Sequence, residues 1–456
     1  MELGFDTIGN ATLICYDRRP LLVTDPWLDG AAYFGSWTFS HEIPCEQSES
    51  IDACRYVWVS HGHPDHLSPA SIEKFKDKII LLPDHVGGRI YRGLKEQGYV
   101  VYVLKDREWT RLSDRVRVLS IADFNQDGIL LIDIGGKLVV DVNDANDNGW
   151  GRFVKKVIQA YKVSFLLKIS GYGDADMNNC FDDDGAWIMP WAAKRRPVGK
   201  QIALLTKQFG VKYFVPFSSM HRYQRADSVW ANRYATHLAD YANGFESDVG
   251  ELLPAFIRYD CLRERVEEID PSPSHETVWP PEAFGDNWSD PLMRSDVEKI
   301  KGYFSAVEHL RRNYQFIRVR VGGREHTVDL GGVKNHCGIT FEAPRHSLMT
   351  AIENEIFDDM LIGNFMRTTL HGHRPVRPLY PDFTPYVAKY ADNGRAKTDD
   401  ELEAYFAAYR SRAPLDHFFH SLQNRSAGIL RALVPPESSS YRVARSVYYR
   451  LHGMQS

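Results

Sequence analysis

Short apolar runs separated by turn residues dominate the first half of the chain. Runs 12–16 and 21–24 flank a polar turn and predict a β-hairpin. The further predicted strands are residues 55–60, 79–82, 99–104, 116–121, 129–134, 137–142, 163–170 and 212–216. Predicted helices lie between them, at residues 68–76, 153–161 and 198–209. Because strands that alternate with helices form sheets covered by helices, residues 1–245 are expected to form one α/β domain.

The second half has a different pattern, which begins after a proline-rich loop at residues 271–281. Residues 295–314 have helical character, and two strand-like runs flank Gly322-Gly323 as a predicted hairpin. Two more predicted helices follow, at residues 347–361 and 401–410. Residues 246–456 are therefore expected to form a C-terminal α+β extension, which serves as a lid or as the contact layer of a homodimer.

Length and composition narrow the class of protein. A chain of 456 residues with 43% hydrophobic residues is long enough for two domains. The net charge of -5 gives no basic surface for nucleic acid or for an anionic membrane. The sequence contains no apolar run of membrane-spanning length and does not begin with a signal peptide pattern. Six scattered cysteines without CxxC spacing predict reduced thiols, so a cytoplasmic protein is expected.

Three histidines and one aspartate lie within six residues, directly after the apolar run 55–60. The sequence there is His61-Gly62-His63-Pro64-Asp65-His66. A strand end that continues into a turn directs alternating side chains to opposite sides. His61 and His63 can therefore hold one metal ion, and Asp65 and His66 can face a second ion. The loop predicts a metal centre with one or two ions.

This loop resembles the metal-binding motif of the metallo-β-lactamase superfamily. The resemblance extends to residues 23–28 (VTDPWL), where Asp25 matches an aspartate of the family's second strand. It implies that Asp25 orients the ligand histidines by hydrogen bonding, as carboxylates beside metal sites commonly do. It also implies the family's α/β fold, a four-layer αβ/βα sandwich with the metal ions at one sheet edge.

The same resemblance implies further ligands. A bridging aspartate is expected after the predicted strand 137–142, with Asp144 as the first choice and Asp141 as the alternative. A last histidine is expected shortly after the predicted strand 212–216, where His221 lies.

One ligand position departs from the hydrolytic members of the superfamily, which have a histidine between the loop and the bridging aspartate. His85 is the only histidine in that interval, and it comes too early. Asp123, just past the predicted strand 116–121, is the best substitute. Mixed imidazole and carboxylate ligands suit iron that changes its oxidation state. Two metal ions are therefore expected, with iron favoured and with zinc or manganese as alternatives.

A closer resemblance, to the metal-binding part of the CMP-N-acetylneuraminate hydroxylases, is carried by residues 23–44, 61–68, 170–173, 355–363 and Asn148-Gly149. Those hydroxylases carry a Rieske cluster domain, whereas this sequence contains no Cys-x-His pair. An oxygenase reaction would therefore take its electrons from an external donor or from the substrate.

Three functions follow as hypotheses. The favoured one is a non-haem diiron hydroxylase or monooxygenase that acts on a small-molecule substrate. The alternative is a di-zinc hydrolase of an ester, lactone, amide or phosphoester, in which metal-bound water is the nucleophile. The third is a non-catalytic binding protein that uses the metal for structure. Arg222 and Tyr172 are candidates for substrate binding, because a guanidinium can grip a carboxylate or phosphate and an aromatic ring can line a cleft.

Overall fold

Strands and helices alternate through the residues that the computed structural model describes, which are 1–171, 178–194, 197–332, 336–372 and 378–422. The strands of this part of the chain are β1 (Leu3–Ile8), β2 (Thr12–Asp17), β3 (Arg19–Thr24), β4 (Trp37–Phe39), β5 (Tyr56–Trp58), β6 (Ile79–Pro83), β7 (Val100–Leu104), β8 (Trp109–Arg111), β9 (Val116–Ala122), β10 (Gly128–Ile134), β11 (Lys137–Asn143), β12 (Ser164–Lys168), β13 (Cys180–Phe181), β14 (Trp187–Ile188), β15 (Tyr213–Pro216), β16 (His221–Tyr223), β17 (Glu251–Leu252), β18 (Ile257–Asp260), β19 (Arg265–Glu268), β20 (Phe316–Val321), β21 (Arg324–Asp329), β22 (Gly338–Glu342) and β23 (Arg367–His371). Its α-helices are α1 (Cys45–Ala53), α2 (Pro69–Ile72), α3 (Arg89–Glu96), α4 (Gly151–Ile158), α5 (Val198–Phe209), α6 (Arg294–Ser305), α7 (Leu310–Asn313), α8 (Arg345–Asn354), α9 (Phe357–Gly363) and α10 (Asp399–Arg412). A π-helical segment covers Pro385–Asn393.

Two large sheets face each other in the first half of the chain. Their strand orders are β19-β18-β1-β2-β3-β5-β6-β7 and β17-β15-β12-β11-β10-β9-β8. On β2, Leu13 and Cys15 pack with residues of the second sheet in a core without helical residues. The alternate residue Ile14 instead packs in the core that includes Ile51 of α1. Because successive strand side chains point to opposite faces, this alternation makes four layers, and the predicted αβ/βα sandwich is confirmed.

Most predicted elements of the first half are present. The hairpin of β2 and β3 pairs in antiparallel register, and the helix predicted at 198–209 is α5. Ser68 caps α2 as expected, since its hydroxyl accepts a hydrogen bond from the backbone amide of Ser71. This cap sits directly after the histidine loop, so the loop is held between a buried strand and a capped helix.

The second half is built on a six-stranded sheet of order β14-β13-β23-β22-β20-β21. The hairpin predicted around Gly322-Gly323 is confirmed, and both glycines have positive φ. The single helix predicted at 347–361 is wrong, because α8 and α9 are separate. Glu355 between them adopts a left-handed conformation with φ 54°, which ends α8. This break places an acidic pair, Asp358 and Asp359, at the start of α9.

The division into residues 1–245 and 246–456 stays a prediction. Strands from each side of residue 245 pair with strands of the other half. Strands β17, β18 and β19 follow residue 245 but extend the two sheets of the first half. Strands β13 and β14 precede it but join the sheet of the second half, where β13 pairs in parallel with β23. The two halves are therefore interleaved rather than connected by one linker.

Two further findings concern the whole described part of the chain. No helix there is both long enough and apolar enough to cross a membrane. All six cysteines are free thiols, and four of them are buried.

A buried carboxyl in the second half leads to a prediction for stability. Burial raises the pKa of Asp392 to about 7, although hydrogen bonds from Tyr303 Oη and from the Phe357 amide oppose the shift. The folded protein then holds this proton up to about pH 7, whereas the unfolded chain loses it near pH 4. The stability that Asp392 contributes should therefore fall as the pH rises from about 4 to 7 and stay level above that.

The measurement is urea unfolding of the wild type and of Asp392→Asn across this pH range. As the pH rises from about 4 to 7, the free energy of unfolding of the wild type should fall by about 4 kcal/mol relative to that of Asp392→Asn. A difference that stays constant with pH would show that Asp392 does not keep its proton.

Candidate metal centre

The histidine loop leaves the end of β5 and turns tightly before α2. Backbone amides of His66 and Leu67 both donate to the carbonyl oxygen of His63, at 3.0 and 2.7 Å. This turn brings the ring of His66 back beside that of His61, with ring centroids 4.2 Å apart. The local backbone thus brings the imidazoles of His61 and His66 together.

Two histidines and one aspartate form a compact group of potential metal ligands. His61 Nε2 lies 2.8 Å from His63 Nδ1 and 3.9 Å from Asp144 Oδ2. Within the described residues, this trio has its ligand atoms within 4.8 Å of one another. Two atoms that each bind a metal at about 2.1 Å can be at most about 4.2 Å apart. The His61–Asp144 separation therefore fits a shared ion.

His66 and Asp65 lie on the other side of the Asp144 carboxylate. His66 Nε2 is 3.2 Å from Asp65 Oδ2 and 3.4 Å from Asp144 Oδ2. The same Asp144 oxygen therefore faces both His61 and His66. Its second oxygen, Oδ1, accepts a hydrogen bond of 2.7 Å from Ser218 Oγ. A carboxylate placed in this way can bridge two metal ions. Asp141, the alternative, has both of its oxygens buried and no hydrogen-bond partner for them in the part of the chain that the structure describes, and it is absent from the compact trio.

Asp25 lies where the sequence resemblance placed it, directly behind the histidines. Its carboxylate accepts hydrogen bonds from His66 Nδ1 at 3.1 Å and from the backbone amide and hydroxyl of Ser60, each at 2.7 Å. The Ser60 hydroxyl in turn lies 2.9 Å from His61 Nδ1. Since both Nδ1 atoms are engaged on this side, the Nε2 atoms of both rings are left facing Asp144.

The protonation states of His61 and Asp65 suit a site that receives a cation, whereas that of His66 does not. Burial alone would lower the pKa of His66, but Asp65 and Asp144 outweigh it and raise the pKa well above its ordinary value. Burial lowers the pKa of His61 well below its ordinary value, and the neighbouring His66 and His63 lower it further. Burial by itself would raise the pKa of Asp65, but His66 outweighs it, so the pKa of Asp65 is lowered. A neutral imidazole and an ionised carboxylate are the forms that bind metals. Asn10 Nδ2 and Tyr33 Oη fix the Asp65 oxygens, at 2.8 and 2.5 Å.

Asp123, the predicted substitute for a histidine, has its oxygens engaged by its own loop and by Asn148. Oδ1 accepts from the backbone amides of Asn125 and Asp127, at 2.8 and 3.1 Å. Oδ2 accepts from Asn148 Nδ2 at 2.7 Å. Burial raises the pKa of both Asp123 and Asp127. The charge that acts next on Asp123 is that of Asp127, whereas the charges that act next on Asp127 are those of Lys389, Asp144 and His63.

His85, the one histidine between the loop and Asp144 in the sequence, contacts the backbone of the strand end. Its Nε2 donates to the carbonyl oxygen of Ser60 at 3.1 Å, so it supports the histidine loop from behind. Burial lowers the pKa of His85 to about 4, which keeps the ring neutral.

The remaining predicted residues are spread around the centre. His221 begins β16 and stacks on Trp37 of the paired strand β4, with ring centroids 3.3 Å apart. It is buried but is not part of the compact trio. Arg222 donates to Glu276 Oε1 and to the His275 carbonyl oxygen, at 2.8 and 2.9 Å, so the following loop occupies its guanidinium. Tyr172 lies outside the described residues.

Sequence reasoning missed the part of the centre that the second half supplies. Asp358 Oδ2 lies 3.0 Å from His63 Nε2, and Lys389 Nζ lies 3.4 Å from the same oxygen. Burial raises the pKa of the adjacent Asp359 to about 7. The one signal in the sequence was segment 355–363, whose resemblance to the hydroxylases includes this acidic pair. Distance along the chain, 295 residues between His63 and Asp358, hid the contact.

Comparison with known proteins adds to this geometry. No family model matches the chain. Cytidine monophosphate-N-acetylneuraminic acid hydroxylase from Asterias rubens is 26% identical over 164 residues, which are 33% of this chain and 25% of that protein. The hydroxylase from Xenopus laevis is 25% identical over 232 residues, which are 48% of this chain and 39% of that protein. The chain is similar to these hydroxylases. The resemblance seen in the motifs is thereby confirmed, over less than half of the length of each relative.

Among solved structures, Igni18, a metallo hydrolase from Ignicoccus hospitalis, aligns with a TM-score of 0.36 and 13% identity. The alignment covers 59% of this chain and 99% of that one. The layered sheets described above are those of the metallo-β-lactamase fold, and they carry a candidate metal centre.

Proposed function

We propose that this protein is a non-haem diiron enzyme that activates dioxygen and hydroxylates a small molecule. The observation that carries the proposal is the donor set around His61 and His63. These two imidazoles converge with the Asp144 carboxylate, and the neighbouring loop offers two buried carboxyls, Asp123 and Asp127, instead of a third imidazole. Two histidines with a carboxylate are typical of non-haem ferrous oxygenases. The similarity to hydroxylases supports the same reaction class.

The proposed ligands divide into two sets that share one carboxylate. His61, His63 and Asp127 would hold a first ion, with Asp127 in the place first assigned to Asp123. Asp65, His66 and His221 would hold a second ion. Asp144 lies between the sets, since the same oxygen faces His61 and His66.

When bound, a ferrous pair supplies the activation of dioxygen. One oxygen atom would enter the substrate C–H bond, and the other would leave as water with two electrons from an external donor such as a reductase and two protons from solvent. The chain keeps His61 neutral by burial, so that its Nε2 remains a ligand. It also fixes the orientation of the ligands, through Asp25 behind His66 and Tyr33 beside Asp65. A sugar nucleotide is the proposed substrate class, because the relatives are named for one.

The test is anaerobic loading of the purified protein with ferrous iron or zinc, followed by metal analysis and by exposure to oxygen. We expect two iron ions per chain and oxygen uptake that requires iron, a reductant and CMP-N-acetylneuraminic acid or a related sugar nucleotide. Iron loading should also produce visible absorption after oxygen is admitted.

Two results would contradict the proposal. Binding of two zinc ions per chain, together with no oxygen uptake by the iron-loaded protein, would exclude an oxygenase function. Metal-dependent turnover of generic esters or phosphodiesters without oxygen would instead support a hydrolase. Failure to bind any metal would exclude both the oxygenase and the hydrolase function.

A further inference from the structure

One ligand histidine has its outer nitrogen directed at the second half of the molecule. His63 Nδ1 faces His61 Nε2 at 2.8 Å, so His63 Nε2 points away from the trio. That atom lies 3.0 Å from Asp358 Oδ2 at the start of α9. An Nε2–H that donates to a carboxylate fixes the ring in the tautomer whose Nδ1 carries a free lone pair.

The Asp358 carboxylate is itself held in place. Lys389 Nζ, from the π-helical segment, lies 3.4 Å from the oxygen that faces His63. Both side chains of this ion pair are largely buried, so the lysine is a cationic partner for the carboxylate inside the protein. Asp358 thus contacts one cation and one ring nitrogen of His63 through the same oxygen.

Arg89, near the histidine loop, ties both of these segments to the first half. Its guanidinium donates to the carbonyl oxygen of Glu355 at 2.6 Å and to Asn393 Oδ1 at 3.1 Å. Glu355 precedes α9, and Asn393 ends the π-helical segment. Because one side chain anchors both segments, Asp358 and Lys389 are held at a defined position beside His63.

We propose that Asp358 is a positioning residue of the metal centre, which orients His63 for metal binding from the second half of the chain. The proposal rests on the metal centre of the proposed function but not on the identity of the reaction. It assigns the second half a role inside the centre, beyond that of a lid or a dimer contact.

The test compares Asp358→Asn with Asp382→Asn in the full-length protein. Asp382 is a matched control in the same half of the chain. Its Oδ1 also lies beside a histidine nitrogen, His309 Nε2 at 3.3 Å, but this histidine is not one of the proposed metal ligands. Affinity for cobalt(II) is measured by competition with a chelator, together with the visible spectrum of the bound ion. We expect Asp358→Asn to bind about 10- to 100-fold more weakly with a shifted spectrum, and Asp382→Asn to match the wild type.

The outcomes separate this inference from the proposed function. A wild type that binds no metal would remove the metal centre itself. A wild type that binds metal, with Asp358→Asn equal to it in affinity and spectrum, would overturn the positioning role alone. If Asp358→Asn does not fold, nitrogen NMR of histidine-labelled, zinc-loaded wild type decides. His63 should then carry its proton on Nε2, and a proton on Nδ1 would overturn the proposal.

Discussion

Asp144→Asn is expected to lose at least one of the two metal ions and about a thousandfold or more of the turnover rate. The reason is that Asp144 Oδ2 faces both His61 Nε2 and His66 Nε2, at 3.9 and 3.4 Å. An amide oxygen carries no net charge and cannot replace a carboxylate shared by two cations. Loss of the ions removes the groups that stabilise charge during the reaction.

Asp141→Asn is the matched control for this variant. Asp141 lies three residues earlier on β11, and burial raises its pKa well above the ordinary value, so it resembles its own amide. We expect Asp141→Asn to keep both ions. Metal analysis of the two variants by mass spectrometry, with circular dichroism to check folding, makes the comparison. Retention of both ions by Asp144→Asn, with loss in Asp141→Asn, would reverse the assignment.

Asp127→Asn is expected to release the ion nearest His61 and His63 and to lower turnover by about a hundredfold or more. Asp127 is buried, and no side-chain hydrogen bond within the described residues engages its carboxylate, so it is available to a cation. Lys389 and Lys168 are the other positive charges that act on it. The loss should therefore appear first in metal content and then in activity.

Asp123→Asn tests the other carboxylate of the same loop. Its oxygens accept hydrogen bonds from Asn125, Asp127 and Asn148, so the variant should lower stability by about 1–3 kcal/mol and keep both ions. Metal analysis and thermal unfolding of both variants separate the two roles. A stable Asp123→Asn protein that has lost an ion would restore Asp123 as the ligand.

The prediction of the fold from sequence succeeded where the signal is local. The hairpin of β2 and β3, the helix α5 and the Ser68 cap all depend on residues within a few positions of one another. It failed for the helix at 347–361, because Glu355 has no sequence signature for its left-handed backbone. Short strands such as β13 and β17 were missed as well, since a strand of two residues exists only through its partner.

The sequence by itself determined that a metal loop follows a buried strand. His61, His63 and His66 lie within six residues, so their convergence needs only one turn, and Asp25 could be assigned from a motif. Only the tertiary structure shows how the carboxylates of the loop are hydrogen bonded and which residue contacts His63 from the second half. The sequence favoured Asp123, which lies just past a predicted strand, and the structure gives its Oδ2 a hydrogen bond from Asn148. Asp358 lies 295 residues from His63, and only the packing of α9 against the first half brings the two together. Candidate ligands that lie within one turn can be recognised from their spacing in the sequence. Residues that contact those ligands from distant parts of the chain can be recognised only in the folded structure.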